Sequence, residues 1–308
     1  MLGKGSVRML GWSIATIILL LSVITPLSII TFFLLMIPVV VQFVKLDTKR
    51  FLMYYGASLA IVYILTSVFL VGWAGVLLVS MSLFFLPPVI QMGNLYKKRS
   101  PARTVLTVGT VTLLAELLLS LVVSYLFGFN LIDKMKQFMT ESINSLPDQL
   151  KGMVALDQDV LVQLMSQMLP LYMIGFSLIV VVITHWLSRK VLNRAGESIP
   201  AFKPMREWML PRSFVWYYMI ALFMEFFVKD ANSILFTLLI NLLPLLTAAF
   251  AIQALAFLFF VVHTNRWNKV LPIGGIVLLL IFPPAYFIFS MLGVFDVAFP
   301  IRERMTRK

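Results

Sequence analysis

The sequence contains no cysteine and only two histidines among its 308 residues. Without cysteine the chain can form no disulfide, no thiolate metal site and no cysteine nucleophile. Charged residues are scarce as well: they make up 12% of the chain, against about a quarter in soluble globular domains. So few charges cannot cover a water-exposed surface, and the composition therefore excludes an ordinary soluble protein.

Sequence motifs of common catalytic and nucleotide-binding sites are also missing. The chain has no GxxxxGK[ST] phosphate loop, no GxSxG nucleophile elbow and no HExxH zinc motif. His185 and His263 are far apart and each adjoins a predicted membrane boundary, so we interpret both as interface residues and not as metal ligands. We expect no enzymatic activity, no bound cofactor and no metal site.

Long apolar runs are the main positive feature of the sequence. Hydrophobic residues make up 61% of the chain, and several runs reach the roughly 18 residues that a helix needs to cross a bilayer. Apart from closed barrels, only helices satisfy their backbone hydrogen bonds within lipid. The sequence therefore predicts an all-α, polytopic transmembrane helix bundle.

The runs free of charged residues predict about eight crossings, within a range of roughly eight to ten. Thr25-Pro26 divides the run 11–44 into two short helices, Pro244 leaves the run 233–262 either tilted or broken, and Pro283-Pro284 interrupts the last run. We favour eight full crossings with one re-entrant or broken element. The predicted spans are 11–25, 27–44, 51–71, 73–91, 104–127, 169–186, 214–228, 233–262 and 270–292.

The net charge of the chain is +12, and basic loops alternate along it with neutral or acidic ones. Residues 97–103 carry four bases and no acid, residues 189–212 carry six bases and two acids, and residues 128–165 carry three bases and five acids. Because basic loops stay in the cytosol, we place the N-terminus there and residues 128–165 outside. An odd number of crossings would put the basic tail outside, against the same rule. The charge thus indicates a protein of the lipid bilayer with no nucleic-acid partner.

Two features at the membrane boundaries accompany this charge pattern. Aromatic residues, Trp12 and Tyr54 among them, fall at the proposed inner boundary, where such rings anchor at the headgroup level. In residues 129–165 apolar residues recur at helical spacing with charges between them. That pattern predicts an amphipathic segment that lies in the outer interface or covers a cavity.

Glu116 stands near the middle of the fifth predicted span, where a charge is costly and needs a partner or water. Thr112 and Ser120 lie one turn away on the same helical face. We consider Glu116, Thr112 and Ser120 as substrate-binding candidates in a cavity of the bundle. The alternative is that a protonated Glu116 bonds to a neighbouring helix as a purely structural contact. Both interpretations remain open.

Two further polar residues, Asn241 and Gln253, lie in the long run 233–262 together with Pro244 and several alanines. Small residues allow helices to pack closely, which is one interpretation of this stretch. The other is a broken helix whose backbone carbonyls and amide side chains contact a ligand. Asn241 and Gln253 are therefore also substrate-binding candidates.

The basic segment 189–212 combines three prolines with aromatic residues. It is either an ordered loop beneath the bundle or a docking surface for a cytosolic protein. In the second case, Phe202, Arg206 and Trp208 are the candidates for contact with the partner.

Two short patterns carry a resemblance to a known family. Ile199-Pro-Ala-Phe202 followed by Glu207-Trp-Met-Leu-Pro211, and the tail Gly293-Val-Phe-Asp296 through Arg302, resemble motifs of the YybS-like family. These are bacterial membrane proteins of unknown function, found mainly in Firmicutes. The resemblance implies a multi-pass protein of the bacterial cell membrane.

The first six spans also resemble, distantly, the S components of energy-coupling factor transporters. That resemblance implies a solute-binding unit over residues 1–190, including 129–165, which would dock on a separate cytosolic ATPase module. The remainder would be a cytosolic loop, 191–212, and C-terminal helices with a basic tail, 213–308. S components often carry an Ala-x-x-x-Ala docking motif, and Gly11-x-x-x-Ala15 occupies the first helix here. The alternative function is a scaffold or regulator that recruits cytosolic partners without transport.

Overall fold

The computed structural model describes residues 4–69, 72–147, 157–228, 230–299 and 301–306. All regular secondary structure within these ranges is helical, which confirms the all-α prediction. Six helical segments are long and apolar enough to cross a membrane, as expected for a polytopic bundle. They are Ser28–Lys45, Thr48–Phe69, Trp73–Lys97, Ala102–Leu126, Leu169–Arg194 and Ile234–Thr264. The number of crossings and their orientation stay predictions.

Four shorter apolar helices accompany these six segments: Arg8–Ser22, Ser213–Glu225, Val270–Ile281 and Ala285–Ala298. At 1.5 Å per residue, a helix of 12 to 14 residues extends about 20 Å, short of the roughly 30 Å hydrocarbon layer. The last two helices are separated at Pro283-Pro284. The predicted interruption of the final run is therefore confirmed.

The chain divides into two compact units. The first comprises residues 1–131 and 173–201, and the second comprises residues 132–172 and 202–308. This grouping differs from the predicted boundaries, because most of the segment 129–165 joins the C-terminal helices and not the first unit. Residues 148–156 of that segment lie outside the described residues.

The first unit contains seven described helices and most of a further one. In chain order they are α1 (Lys4–Ser22), α2 (Ser28–Leu34), α3 (Met36–Lys45), α4 (Thr48–Phe69), α5 (Gly72–Phe84), α6 (Leu86–Lys97), α7 (Ala102–Leu126) and, from Met173 onward, α10 (Leu169–Arg194).

Prolines explain why two of the spans are divided. Pro38 has no N–H for the carbonyl of Leu34, the residue at which α2 ends, and Pro87 and Pro88 likewise interrupt the chain just after Phe84, where α5 ends. The predicted division at Thr25-Pro26 is confirmed too, because α1 ends before it and α2 begins after it.

Helix α3 forms the centre of the first unit. Every residue from Met36 to Phe43 is buried, so α3 has other helices on all sides. Leu78 of α5, Met92 of α6, Val105 of α7 and Val180 of α10 are fully buried in the same apolar cluster. Helix α7 lies at the edge, since only 17% of its apolar window is buried.

The second unit is built around one long helix. Its described elements are α8 (Leu131–Asn144), α9 (Gln158–Gln167), the first turn of α10, α11 (Ser213–Glu225), α12 (Ile234–Thr264), α13 (Val270–Ile281), α14 (Ala285–Ala298) and α15 (Ile301–Thr306). Helix α12 continues through Pro244 for 31 residues, so the run 233–262 forms one helix. Helix α8 lies within the predicted amphipathic segment and has no buried residue.

Helix α14 packs against α12 at a glycine. A Cβ atom on Gly293 would overlap the carbonyl oxygen of Phe250, so no larger residue fits without a shift of the backbone. Ala251 and Ala254 of α12 are fully buried beside this contact. The small residues of α12 therefore allow close helix packing, as one of the two sequence interpretations held.

Candidate functional site

The polar stripe of α7 lies on the face that this helix buries. Gly109 and Leu113 are buried, and Glu116 is half-buried one turn further along. The neighbouring hydroxyls bond back to their own helix: Thr112 Oγ1 donates to the Val108 carbonyl at 2.8 Å, and Ser120 Oγ donates to the Leu117 carbonyl at 2.7 Å. The substrate role of Glu116, Thr112 and Ser120 stays a prediction.

Asn241 joins the ends of two other helices. Its Oδ1 accepts the Leu171 N–H at 2.8 Å, and its Nδ2 donates to the carbonyls of Gln167 at 2.8 Å and Thr237 at 2.7 Å. Gln167 ends α9 and Leu171 lies in the first turn of α10, where backbone groups have no partner within their helix. The amide thus caps two helix ends at once, and its polar atoms are occupied by the protein itself.

Gln253 of α12 is bonded in a similar way. Its Nε2 donates to Asp296 Oδ2 at 2.6 Å, and its Oε1 accepts the Leu210 N–H at 3.0 Å. Nε2 also lies 3.3 Å from the Trp208 carbonyl. Gln253 therefore connects α12 to α14 and to the segment 202–212. The substrate-binding role of Gln253 stays a prediction.

Asp296 and Arg302 form a buried ion pair at the end of α14. The Arg302 Nε and Nη2 atoms donate to the two carboxylate oxygens at 2.8 and 2.5 Å. The Asp296 side chain is fully buried and that of Arg302 is 12% exposed. Arg302 Nη1 also donates to the Arg206 carbonyl at 2.8 Å, so one guanidinium holds both the helix end and the segment 202–212. We call Arg206, Trp208, Leu210, Gln253, Asp296 and Arg302 the C-terminal clamp.

The C-terminal clamp gives the segment 202–212 a fixed conformation. Trp208 Nε1 donates to the Lys203 carbonyl at 2.8 Å, and its ring meets the Phe202 ring edge-on. Arg206 Nη1 lies 3.2 Å from His263 Nδ1. Trp208 nevertheless remains 38% exposed, and Met209 is 51% exposed. The segment is thus held by several contacts and still presents apolar surface, and its role as a docking surface stays a prediction.

The interpretation of His185 as an interface residue is wrong. Its side chain is fully buried in the first unit, and its Nδ1 lies 2.9 Å from the Tyr96 hydroxyl. The sequence pattern misled here because Trp186, next along the chain, is 49% exposed and made the whole turn look like a boundary. His263 is exposed.

A cavity of about 990 Å³ opens among the helices of the first unit. Its apolar lining includes Trp12 and Ala15 of α1, Val41 of α3 and Met53 of α4. Tyr54 also lines it. The cationic residues at its rim are Arg8, Lys45, Arg50 and Arg194. No aspartate or glutamate is among the described residues that line it.

Two of the four cations have carboxylate partners outside the lining. Lys45 Nζ lies 2.8 Å from Glu197 Oε1, and Arg50 Nε lies 3.4 Å from Asp47 Oδ1. Over the described part of the chain, no carboxylate forms an ion pair with Arg8 or Arg194. The cavity rim therefore carries about two uncompensated positive charges.

The cavity also brings together segments that the sequence placed on the same side of the membrane. Arg8 precedes the first span, Lys45 follows the second, and Arg194 follows the sixth. Lys97, after the fourth, lies beside them, because its Nζ is 3.4 Å from the Leu46 carbonyl. Four predicted cytosolic segments thus share one end of the first unit, which agrees with the alternation of loop charges.

Comparison with known proteins gives the chain a place among membrane proteins. Residues 13–297 match the family described as "Predicted membrane protein (DUF2232)". The chain belongs to this DUF2232 family. It is 25% identical over 303 residues to the uncharacterized protein YybS of Bacillus subtilis (strain 168), and the match covers 95% of each chain. No solved structure matches. The resemblance to YybS-like proteins is confirmed, as is the multi-pass membrane localisation.

The motifs that carry this family resemblance meet in the C-terminal clamp. Residues 207–211 contribute the Trp208 carbonyl and the Leu210 N–H, and residues 293–302 contribute Asp296 and Arg302. In this chain of the DUF2232 family, these residues therefore have a clear structural use: they join the segment 202–212 to α12 and α14.

Sequence reasoning missed the cavity lining as a site. In the sequence, Arg8 and Lys45 stand only as bases beside predicted spans, Arg194 is one base of the segment 189–212, and Trp12 and Tyr54 indicate membrane anchors. The available signal was that bases and aromatic residues recur at one predicted depth in separate segments. Among the described residues, no group of three or more histidines, cysteines or acids is placed to hold a metal ion.

Proposed function

We propose that this protein is the solute-binding component of a membrane transport system, with the first-unit cavity as its binding site. The cavity carries the proposal: its volume of about 990 Å³ lies at the upper end of the range for small-molecule sites, roughly 300–1,000 Å³. It combines an apolar wall with a few polar groups at one end, as such sites do.

The position of the Gly11-x-x-x-Ala15 pattern supports the same proposal. Both residues line the cavity, and a Cβ atom added to Gly11 would meet no other atom within 4 Å. This face of α1 is therefore open to an occupant. The proposal includes no enzymatic step, and the sequence has no phosphate loop. A transport cycle would accordingly need a separate cytosolic ATPase.

A cavity-filling substitution tests the proposal. Gly11→Leu would place a side chain in the cavity without a clash, whereas Gly56→Leu adds the same side chain to α4 at a site that is equally open but outside the cavity. We expect a small molecule to copurify with the detergent-solubilised wild type and with Gly56→Leu, and to be lost from Gly11→Leu. Equal amounts in all three proteins would refute the cavity as the site.

The same experiment includes the residue that the sequence favoured. Glu116 does not line this cavity. If the copurified molecule is lost in Glu116→Ala but retained in Gly11→Leu, the binding site lies along α7, as the sequence predicted, and not in the cavity. Loss in Gly11→Leu alone would assign the site to the cavity.

A second function, that of a scaffold or regulator, is favoured by one specific observation. Trp208 and Met209 are exposed on a segment that the C-terminal clamp fixes, and a rigid exposed aromatic is a typical anchor of protein interfaces. Affinity purification from native membranes should then recover a cytosolic protein that Trp208→Ala loses. Trp267→Ala is the control, since Trp267 is 58% exposed outside this segment. Recovery of an ATPase would connect both functions, with Phe202 and Arg206 as further contact candidates.

A further inference from the structure

We propose that the first-unit cavity binds a phosphate ester, with the phosphate between Arg8 and Arg194 and the rest of the molecule along the apolar wall. This inference rests on the proposed binding role of the cavity and adds the chemical class of its occupant. Among the described residues, the lining has four cations and no acid, so a metal cation or an amine would be repelled from it.

The two cations without carboxylate partners determine the expected position of the anion. Lys45 already donates to Glu197 Oε1 and to the Ala195 carbonyl, both at 2.8 Å. Arg50 forms an ion pair with Asp47. Arg8 and Arg194 are the lining cations for which the described residues supply no ion pair. A guanidinium group matches a phosphate through two parallel hydrogen bonds. These two residues therefore suit a phosphate better than they suit an uncharged solute.

The walls indicate that the occupant also has an apolar part. Met9, Trp12, Ala15, Val41 and Met53 line the cavity beyond the charged rim. Inorganic phosphate would leave this surface uncovered, whereas a phosphate ester with hydrocarbon chains would cover it. The cations lie near the ends of apolar helices, where the sequence predicts the membrane boundary, and basic pockets between such helices bind anionic headgroups.

Two sources of such a phosphate ester exist: an anionic lipid and a soluble ester. The test uses the purified, delipidated full-length protein with three probes, namely phosphatidylglycerol, phosphatidylcholine and glycerol 3-phosphate. Native mass spectrometry measures the bound molecule. Binding of phosphatidylglycerol but not of glycerol 3-phosphate assigns the lipid, and binding of both with similar affinity assigns a soluble ester. Phosphatidylcholine should bind weakly, because its choline group is repelled by the rim.

The residue dependence separates the proposed site from general surface charge. The double variant Arg8→Gln/Arg194→Gln should bind the probe about 10- to 30-fold more weakly, since each base near an anionic headgroup contributes roughly fivefold. The matched control, Lys98→Gln/Arg103→Gln, removes two exposed bases outside the cavity lining. It should change binding by no more than about twofold, because distant exposed charges are screened.

Three results would overturn the inference: equal weakening in both double variants, binding that is indifferent to charge, or no binding of any phosphate probe. Its failure differs from failure of the proposed function. An uncharged solute that is lost in Gly11→Leu but retained in Arg8→Gln/Arg194→Gln would overturn the phosphate assignment and leave solute binding in place. Lipid binding that depends on Arg8 and Arg194, without any copurified solute, would support the site and count against transport.

Discussion

The two units differ in what their polar side chains contact. In the second unit, Gln253, Asp296 and Arg302 bond to one another and to backbone groups, and little of their polar surface remains available. In the first unit, cationic side chains line an open cavity and two of them have no carboxylate partner in the described residues. Polar residues that satisfy each other hold a structure together, whereas unsatisfied ones at a cavity are available to a ligand.

The largest loss of stability is expected at Asp296, in the second unit. Replacing it with alanine leaves Arg302 buried without its partner, and removal of one member of a buried pair typically costs about 3–5 kcal/mol. We expect Asp296→Ala to lower the free energy of unfolding by this amount in an SDS titration of mixed micelles. The variant Asp296→Ala/Arg302→Ala should recover part of the loss, since it removes the unpaired charge. A loss below about 1 kcal/mol in the single variant would mean that the buried pair does not stabilise the unit.

Gly293 provides the second test of close packing in the second unit. A methyl group there would overlap the Phe250 carbonyl, so Gly293→Ala forces α14 away from α12 and should cost about 2–3 kcal/mol. Gly274→Ala in α13 is the control, because its new Cβ would meet no atom within 4 Å. That variant should gain about 0.5–1 kcal/mol from helix propensity. Similar values for the two variants would contradict the close approach of α12 and α14.

A smaller effect is expected at Asn241. Asn241→Ala removes the amide that bonds to the Gln167 carbonyl and the Leu171 N–H, and such interhelical bonds contribute about 1–2 kcal/mol within membranes. Hydrogen exchange of residues 167–171 should increase along with the loss of stability. Asn232→Ala, at an exposed amide bonded to Gln163, is the control and should change neither quantity appreciably.

The smallest effect belongs to the first unit. Glu197→Ala breaks the ion pair with Lys45. The Lys45 side chain is 20% exposed and the Glu197 side chain is 37% exposed. Solvent screens such a pair, so the loss of stability should be about 0.5 kcal/mol or less. The variant also frees Lys45 at the cavity rim, and binding of an anionic probe should become tighter. A loss as large as that of Asp296→Ala would remove the contrast between the two units.

Much of the fold follows from local sequence features. Apolar runs predict the helices because a bilayer requires helical backbone in each of them. The divisions at Thr25-Pro26 and Pro283-Pro284 follow from the missing proline N–H. Pro244 shows the limit of this rule, since α12 continues through it with its neighbours Leu239 and Leu246 buried by tertiary packing.

The candidate sites were harder to predict because they depend on contacts between distant segments. The sequence marks Gln253 as a polar residue within an apolar run, but its partners Leu210 and Asp296 are each 43 positions away. The cavity combines charges from segments as far apart as Arg8 and Arg194. Periodicity describes which face of a helix is polar, and it does not describe which other helix that face meets.

The double contact of Asn241 has a consequence for the region beyond it. Pro170 lacks the N–H that would continue a helix across this point, and the Asn241 amide supplies partners to the Gln167 carbonyl and the Leu171 N–H on either side of it. Helix α9 also contacts α8, because Gln158 Nε2 lies 3.5 Å from the Thr140 carbonyl. One carboxamide, 74 positions from the Gln167 carbonyl that it holds, thus satisfies backbone groups that neither α9 nor α10 can satisfy within its own turns, and without it these groups would need water.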